Sequence, residues 1–332
     1  MFRMSYTVSS SKKESDQNMS NSKKTVRDSC ESWMKTCKRN GLERATLRSY
    51  QGHVDHHIEQ KIGHMLVEKL TRSEVRNFID DLQDSGLSRS MTKKVLCSLR
   101  SALGEALERE WVDYNVARDV KMKRNRREEE ERVIPTKDEI RTLIAEVPDK
   151  HRPLIVTAIF TGMRISELRG LKWNCVDFDR KVIEVRERAD RFNDMGKPKS
   201  RSGKRTIPMA PSVISILKVW RLSCPVGSLD LVFPNGKGNI ENHSNIHNRV
   251  FVPMLVENGI VDAEGKPKFS FHALRHAAAS LFIEQGWPAK KIQTILGHAS
   301  ITMTMDVYGH LIENPEDDAD LFEKMENDLL AA

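Results

Sequence analysis

The side chains with the clearest chemical potential in this chain are cations and imidazoles that are placed to bind an anion. Arg164 follows the helix breaker Gly162, directly after an apolar helix, so a rigid buried element would hold its guanidinium. Taken alone, Arg164 is more simply interpreted as the ion-pair partner of Glu167, three residues later. His272 and Arg275 also lie three residues apart, and one helix face would therefore present both side chains to a phosphate.

The helix that carries His272 and Arg275 is predicted to be anchored by its opposite side. Leu274, Ala278 and Leu281 form an apolar stripe at helical spacing. This pattern places Arg275 on the exposed face of a well-anchored helix.

Three pairs of histidines have the i, i+4 spacing with which one helix face can bind zinc: His53 and His57, His243 and His247, and His272 and His276. No acidic residue or further histidine or cysteine follows the last pair at a useful spacing. Solvated helix faces are the favoured interpretation of the other two pairs. The sequence therefore predicts no metal site.

A basic hairpin is predicted in the second half of the chain. Residues 181–186 alternate like a strand, and Arg205–Pro208 looks like its partner. The segment between them, counted from Arg186 to Arg205, holds eight Lys or Arg residues and three acidic residues. Lys197 and Lys199 near the tip could present an ammonium to a phosphate ester in a nucleic-acid groove. Without context, a flexible solvated hairpin is the simpler interpretation.

One tyrosine is unusual because of what precedes it. The segment Leu296-Gly-His298 ends one helix, and Tyr308 follows ten residues later on the next short helix. The chain has only four tyrosines, of which Tyr6 and Tyr114 look peripheral. As a lone residue, Tyr308 would be a core or rim aromatic with a satisfied hydroxyl.

The elements that must position these residues begin with a helical domain. Residues 1–22 are rich in Ser, Lys and Asn and predict a disordered tail. Residues 23–120 show helical spacing throughout and predict four helices, the third of which begins with the capping box Thr71-Arg-Ser-Glu74. Candidate DNA contacts on the long last helix are Arg89, Lys93, Lys94 and Arg100.

A charged linker and a second domain follow. Residues 121–134 predict the linker, whose basic half could lie along a phosphate backbone or simply be solvated. Residues 135–312 predict a mainly helical domain with a small sheet, and residues 313–332 an acidic tail. Helices are predicted from the capping box at Thr136, at 154–160, and near 211–221, 242–257, 272–285, 289–296 and 301–308. Further candidate DNA contacts on the linker and hairpin are Lys121, Lys123, Arg124, Arg201, Lys204 and Arg205.

The charge balance favours a polyanion as the partner. The 332 residues include 54 Lys and Arg against 47 Asp and Glu, which gives a net charge of +7. Residues 313–332 hold eight acidic residues and one lysine, so the rest of the chain has 53 against 39, or +14. A basic body with an acidic terminal segment suits a polyanion-binding protein, although a solvated surface would have the same composition.

Composition also excludes several classes of protein. No apolar run approaches the ~18–20 residues that a membrane span needs, and the N-terminus lacks the apolar region of a signal peptide. The five cysteines are scattered without a C-x-x-C pair, which argues against a disulfide framework and a cysteine-based zinc site. A cytoplasmic globular protein is therefore expected.

The chain resembles the tyrosine recombinase, or phage-integrase, family in four segments: those of Arg164, of His272 and Arg275, of the basic hairpin, and of Tyr308. T-G-x-R-x-S-E-L, H-x-L-R-H and L-G-H-x-S-I-x-x-T-x-x-x-Y-G-H occur in this order and would rarely co-occur by chance. The resemblance covers about residues 24–312 and implies a helical, SAM-like core-binding domain plus a mixed α/β catalytic domain that clamp duplex DNA. Only about 22 residues precede the first helix, so the chain looks like the two-domain form without a folded arm-binding domain.

The resemblance implies roles for residues at matching positions. Arg164 and Arg275 resemble the two arginines that grip the non-bridging oxygens of the scissile phosphate, where charge grows in the transition state. Tyr308 resembles the nucleophile. His272 would be its acid–base partner, and His298 a further donor to the phosphate.

The leaving group needs a proton donor as well. Lys199 matches the hairpin lysine that the family uses to protonate the leaving 5′-oxygen. Lys197 competes for this role, because the length of the loop leaves the register open by two residues.

The family resemblance implies a site-specific recombinase that needs no metal, ATP or other cofactor. Attack by the tyrosine would form a 3′-phosphotyrosyl bond, and strands would be exchanged through a Holliday junction. The predicted partners are double-stranded DNA at specific recombination sites, other copies of the chain in a tetramer, and an accessory directionality factor. Integration or excision of a mobile element is the favoured role. The acidic tail, with apolar residues at helical spacing, could pack on a neighbouring subunit: Leu321, Phe322, Met325 and Leu329.

Two other functions compete with recombination. A type IB topoisomerase uses similar chemistry but rejoins the same strand; the separate helical domain and the L-G-H…Y-G-H spacing favour a recombinase. A catalytically silent DNA-binding relative would act as an accessory protein, but all six candidate catalytic positions hold competent side chains.

Overall fold

The computed structural model of the protein describes residues 23–122 and 133–308. Within those ranges the chain forms two compact units, one on either side of the gap at 123–132. Helices dominate, and small antiparallel sheets occur in the second unit, which confirms the predicted mainly α fold with a small sheet. Across these two ranges, no helix has both the length and the apolar composition that crossing a membrane requires.

Several predicted features lie outside the described residues. They are the tail at 1–22, the linker residues 123–132 with the candidate contacts Lys123 and Arg124, and the acidic segment 313–332.

The N-terminal unit is built from helices whose apolar faces meet in one core. Its helices are α1 (Val26–Arg39), α2 (Arg44–His53), α3 (Glu59–Ile62), α4 (Arg72–Asp84) and α5 (Arg89–Glu108). A π-helical turn, Val54–Ile58, joins α2 to α3, so the four helical segments of the prediction are present. Trp33 and Phe78 are buried in the core. The predicted capping box begins α4, where the Thr71 hydroxyl oxygen accepts from the Glu74 N–H at 3.2 Å.

The candidate DNA contact Arg100 also has a structural role in this unit. Its guanidinium is half-buried and donates to the carbonyl oxygens of Ala117, at 3.0 Å, and Val120. These carbonyls lie in the segment after α5, where no helix supplies a donor, so Arg100 fixes that segment to the helix. The other basic candidates of this unit remain at least partly exposed: Arg89, Lys93, Lys94 and Lys121.

The C-terminal unit surrounds one deeply buried helix. Its helices are α6 (Lys137–Glu146), α7 (Arg152–Thr161), α8 (Ile165–Arg169), α9 (Pro211–Ser223), α10 (His243–Asn245), α11 (Val252–Glu257), α12 (Ala273–Glu284), α13 (Ala289–Leu296) and α14 (Ile301–Tyr308). A π-helical turn, Ile246–Phe251, joins α10 to α11. The side chains of α7 are buried nearly all round, as its uniformly apolar sequence predicts.

The basic hairpin is part of two small sheets. Strands β1 (Val176–Asp177), β2 (Val182–Val185) and β5 (Arg205–Pro208) form one antiparallel sheet, in which Val185 pairs with Arg205. The predicted pairing of residues 181–186 with 205–208 is therefore present. The intervening segment is more ordered than a polar loop, because β3 (Arg188–Ala189) and β4 (Met195–Gly196) pair within it, and a 3₁₀ turn, Arg201–Gly203, precedes β5.

Candidate active site

Gly162 sets the position of Arg164 at the end of the buried helix α7. The glycine has a φ of +61°, and a Cβ at this position would lie 2.6 Å from Leu296 Cδ2 and 3.2 Å from Ala278 Cβ. Only glycine combines this left-handed backbone with so close an approach. The end of α7 therefore packs directly against α12 and α13, and Arg164 begins α8 beside them.

Glu167 is the buried anion that organises the arginines around it. Its Oε1 accepts from Arg164 Nη1 at 2.8 Å, and its Oε2 accepts from the Arg164 backbone N–H at 2.9 Å and from Arg205 Nη2 at 2.9 Å. Burial alone would raise the pKa of Glu167, but hydrogen bonds and charge from Arg205 and Arg164 outweigh it and hold the pKa below its ordinary value. The ion pair of Arg164 with Glu167 is thus present.

Arg205 does not lie where a DNA contact would. Only 3% of its side chain is exposed, and its Nη1 and Nη2 both donate to Glu167, at 3.1 and 2.9 Å. Its Nε donates to the carbonyl oxygen of Ile295 in α13. The structure therefore contradicts the predicted DNA contact, because this guanidinium ties β5 to α8 and α13. The neighbouring candidates Arg201 and Lys204 are exposed.

Arg164 keeps solvent access while it is held on two sides. Its Nη2 donates to the carbonyl oxygen of Gly297 at 3.1 Å, in addition to the Glu167 contact. One third of the side chain, 33%, remains exposed. A guanidinium that is fixed in this way can still meet an anion from solvent.

Arg275 is buried, which corrects the prediction that it lies on an exposed helix face. It is 3% exposed and donates from Nη1 to the carbonyl oxygen of Gly162 at 2.8 Å. Helix α12 is buried on this side as well, because α7 and α13 both pack against it. Burial, and then the charge of Arg164, lower the pKa of Arg275 to about 9, so the guanidinium is still charged at neutral pH.

The second amino group of Arg275 is the strongest sign of an anion site. Its Nη2 is buried and has no hydrogen-bond partner among the residues that the structure describes. A charged donor that is buried without an acceptor is costly unless a ligand supplies one. A phosphate oxygen would satisfy this donor.

His298 follows a glycine that allows the hairpin to approach. Gly297 ends α13 with a φ of +68°, and a Cβ there would lie 2.9 Å from the Ser202 carbonyl oxygen and from Arg205 Nη1. His298 Nδ1 then forms a buried hydrogen bond of 2.8 Å with Thr304 Oγ1. Burial, followed by the charges of Arg275 and other cations, lowers the pKa of His298 to about 3, so its imidazole is neutral.

Tyr308 is fully buried, with 1% of its surface exposed, and its hydroxyl contacts an imidazole. The Oη atom lies 2.6 Å from His276 Nδ1. His272, which the family resemblance assigns to the tyrosine, is exposed, and its ring lies 5.1 Å from and perpendicular to the His276 ring. The sequence places His276 in a possible zinc pair and at the end of the H-x-L-R-H motif, but nothing in its local pattern predicts the contact with Tyr308.

The contacts bring five of the six predicted catalytic residues into one region of the C-terminal unit. Arg164 bonds to Gly297, next to His298, and Arg275 bonds to Gly162. On α12, His276 follows Arg275 and contacts the tyrosine, while His272 lies one turn earlier. The grouped residues are Arg164, His272, Arg275, His298 and Tyr308.

The similarity to known proteins follows the same two units. A model of the N-terminal SAM-like domain of phage integrases matches residues 25–83, and a model of the phage integrase family matches residues 132–314. The chain belongs to the phage integrase family. As a member, the protein is a tyrosine recombinase, an enzyme of DNA recombination.

Several relatives of this phage integrase cover most of its length. A XerC-like tyrosine recombinase of Caldanaerobacter subterraneus subsp. tengcongensis is 26% identical over 325 residues, which cover 89% of this chain and 81% of the relative. The ICEBs1 integrase of Bacillus subtilis (strain 168) is 22% identical over 271 residues, which cover 79% and 73% of the two chains.

Solved structures share the fold of this phage integrase. The Tn1549 transposon integrase in complex with transposon right end DNA has a TM-score of 0.78 at 22% identity and covers 91% of this chain and 100% of that one. A lambda integrase tetramer bound to a Holliday junction has a TM-score of 0.68 at 19% identity, with coverages of 89% and 83%.

The structure of this phage integrase does not distinguish which hairpin lysine serves the predicted catalytic role. Lys197 and Lys199 are both exposed, in the loop between β4 and the 3₁₀ turn. The end of that turn approaches the site, because the Ser202 carbonyl oxygen lies beside Gly297. The assignment of Lys199, with Lys197 as its competitor, stays a prediction.

Proposed function

We propose that this phage integrase cuts and rejoins duplex DNA at specific recombination sites through a covalent bond between Tyr308 and a 3′-phosphate. The observation that carries the proposal is the buried, partly unsatisfied Arg275 beside the tyrosine region. A scissile phosphate is an anion with two non-bridging oxygens. One of these oxygens would supply the acceptor that Arg275 Nη2 lacks.

Two guanidinium groups would bind those oxygens. Arg275 offers its free Nη2, and Arg164 offers a third of its side chain to solvent while Glu167 and Gly297 hold it in place. Both side chains are fixed before DNA arrives, so little reorganisation is needed as charge grows on the phosphorane. Such donors stabilise the transition state more than the ground state.

His298 would act as a neutral donor to the phosphate. If the Thr304 hydroxyl donates to Nδ1, the imidazole hydrogen lies on Nε2 and can be donated to a phosphate oxygen. The low pKa of His298 means that this role requires no protonated imidazole.

The reaction conserves the energy of the phosphodiester. A bond forms between Tyr308 Oη and phosphorus, the bond from phosphorus to the 5′-oxygen breaks, and Lys199 or Lys197 supplies the proton to that oxygen. A 5′-hydroxyl from another duplex then reverses the steps. Arginines supply the positive charge and the phosphotyrosine stores the bond energy, so we expect neither a metal ion nor ATP to be required.

Strand exchange requires several copies of the chain. We infer a tetramer on two recombination sites that proceeds through a Holliday junction and integrates or excises a mobile element. The fold shared with a lambda integrase tetramer bound to a Holliday junction supports this assembly. In this scheme residues 23–120 bind the core DNA site, residues 121–134 link the domains and residues 135–312 perform the chemistry. Residues 313–332 contact a neighbouring subunit, and an accessory factor sets direction.

A nicked suicide duplex tests the proposed chemistry, because loss of a short fragment traps the covalent intermediate. The full chain is incubated with its own recombination site in EDTA without nucleotide. We expect a DNA adduct that denaturing gels resolve and that peptide mapping places at Tyr308. Tyr308→Phe should abolish it, whereas Tyr114→Phe, at a half-exposed tyrosine of the N-terminal unit, should not.

The full chain and its recombination site can also be used to distinguish recombination from the two competing functions. Two sites on one supercoiled plasmid should yield exchanged products. Relaxation without exchange would indicate a type IB topoisomerase, and binding without an adduct would indicate a silent accessory protein.

A further inference from the structure

We propose that His276 is the catalytic residue that accepts the proton of Tyr308 during strand cleavage. The inference deepens the function proposed above and rests on it. It differs from the assignment implied by the family resemblance, which gives this role to His272.

The distance supports direct proton transfer. The distance from Tyr308 Oη to His276 Nδ1 is 2.6 Å, which is within the range for proton transfer from a hydroxyl to a general base. The two rings have centroids 5.7 Å apart and planes inclined at 55°. His276 is half-buried, so its bond to the hydroxyl is partly shielded from water, whereas His272 is exposed at the start of α12.

The backbone positions the base relative to the phosphate. His276 follows Arg275 directly on α12, and Ala277, Ala278 and Ala279 behind it are at most 1% exposed. The residue that binds the phosphate and the residue that takes the proton therefore share one rigid helix segment. Helix α13 packs against this helix and also against α14, which carries the tyrosine. This arrangement fixes the nucleophile, the base and the anion site together.

The proton balance is complete without another reactant. Neutral His276, with its hydrogen on Nε2, takes the Tyr308 proton at Nδ1 as Oη bonds to phosphorus. The leaving 5′-oxygen takes its proton separately from the hairpin lysine. In religation, the 5′-hydroxyl returns a proton to the lysine, and the imidazolium returns its proton to the departing phenolate.

The surrounding charge couples this transfer to DNA. An imidazolium at His276 would follow Arg275 directly on α12 and lie near His298, on which the positive charges of Arg275 and Arg164 also act. Without a phosphate, repulsion between these positive charges opposes proton transfer to His276. A bound phosphate offsets the positive charge, so the base would act only when the scissile group is in place.

Two leaving groups distinguish a base from an acid. Single-turnover cleavage of the suicide duplex is measured with an ordinary 5′-oxygen and with a 5′-bridging sulfur, which leaves as a thiolate without needing a proton. His276→Gln keeps an acceptor for the tyrosine hydroxyl but cannot hold a proton, and we expect a loss of about 10²–10⁴-fold on both substrates. Lys199→Ala, or Lys197→Ala if that lysine is the acid, should be rescued by sulfur. His272→Gln, at the residue that precedes α12 and that the family resemblance assigns to this role, tests the competing assignment on the same two substrates.

A structural role would not produce this pattern. DNA binding and melting temperature are measured for each variant, and His276→Ala is assayed with added imidazole. Saturable recovery of cleavage by imidazole is expected for a missing base and not for damaged packing. If the glutamine variant is poorly folded, this rescue of the alanine variant decides the assignment.

Three results would overturn the inference. They are cleavage by His276→Gln within a few fold of the native rate, its rescue by the sulfur substrate, or an unrescued loss in His272→Gln alone. If the native chain forms no Tyr308 adduct, the proposed function fails as well. If the adduct forms and one of the three results is found, only the role of His276 fails.

Discussion

The buried helices of the C-terminal unit and the exposed basic surfaces of the protein differ in how tightly each side chain is held. On α12 to α14, the side chains of Arg275, His298 and Tyr308 are at most 7% exposed, and each has a hydrogen-bond partner. By contrast, Lys93, Lys94 and the hairpin lysines are exposed. The proposed function therefore places the chemistry where side-chain geometry is fixed, and general DNA binding where side chains can adapt.

Arg205 is a basic residue of the hairpin, but its side chain is buried, unlike those of the hairpin lysines. Arg205→Met removes the partner of Glu167 and leaves a carboxylate that is 2% exposed with only Arg164 to balance it. We expect unfolding of the C-terminal unit to become easier by about 3–5 kcal/mol, as measured by urea denaturation.

Arg201→Met is the matched control, because this exposed arginine lies four residues earlier in the same hairpin. We expect its unfolding free energy to change by less than about 0.5 kcal/mol. Equal effects of the two substitutions would contradict the distinction between a buried and a solvated arginine.

Arg275→Lys tests whether the unsatisfied guanidinium matters for chemistry. Lysine keeps the charge but lacks the second amino group of the planar fork, so it cannot donate both to Gly162 and to a phosphate oxygen in the same way. We expect the cleavage rate to fall by about 10²–10³-fold. Rapid-quench cleavage of the suicide duplex gives the rate, and a gel shift shows whether binding is retained.

Retained cleavage in this variant would mean that Arg275 is a structural residue. The informative ratio is the loss of rate divided by the loss of DNA affinity. A large rate loss with nearly native affinity places Arg275 at the reacting phosphate, whereas parallel losses would place it in general DNA binding.

Local patterns in the sequence predict the helices and the candidate site residues, but they do not predict two contacts between residues that are far apart in the chain. Local spacing specifies the capping boxes at Thr71 and Thr136 and the helical stripes, and the structure contains them. The motifs then identify the candidate catalytic residues one by one. Spacing along one helix treats Arg275 as exposed, however, because it cannot show that α7 and α13 cover that side.

The missed contacts join residues that are far apart in sequence. The bond from His276 to Tyr308 spans 32 residues, and the bonds from Arg205 to Glu167 span 38. No local pattern specifies which imidazole reaches the tyrosine or which hairpin arginine turns inward. The packing of α12 and α14 against α13 determines the first contact, and the packing of α8, α13 and β5 around Glu167 determines the second.

The pH dependence of stability should also separate the buried residues from the exposed ones. The folded-state pKa of His298 is lowered to about 3, below its ordinary value of 6.5, so the unfolded chain binds an extra proton between these values. Stability is therefore greatest above pH 6.5 and is lost as the pH falls toward 3. Between pH 7.5 and pH 5, with partial solvent screening, this group should contribute a loss of about 1–2 kcal/mol.

Urea denaturation at a series of pH values measures this loss. His298→Gln cannot titrate, so its unfolding free energy should fall less steeply between pH 7.5 and pH 5 than that of the native chain. Identical slopes for the two proteins would show that the buried imidazole does not control the acid sensitivity.

Substitutions of the exposed lysines should have the smallest effects on DNA binding, and these effects should depend on salt. Lys93→Ala and Lys94→Ala each remove one exposed cation from α5 without touching the core. If these side chains contact phosphates, each change should reduce the salt dependence of DNA binding, the slope of log K against log[salt], by about 1 and weaken binding similarly for all sequences. Arg100→Lys is the contrast on the same helix: because Arg100 holds the carbonyls after α5, it should lower the melting temperature and leave the salt slope unchanged. A native slope in both lysine variants would remove α5 from the DNA-binding surface.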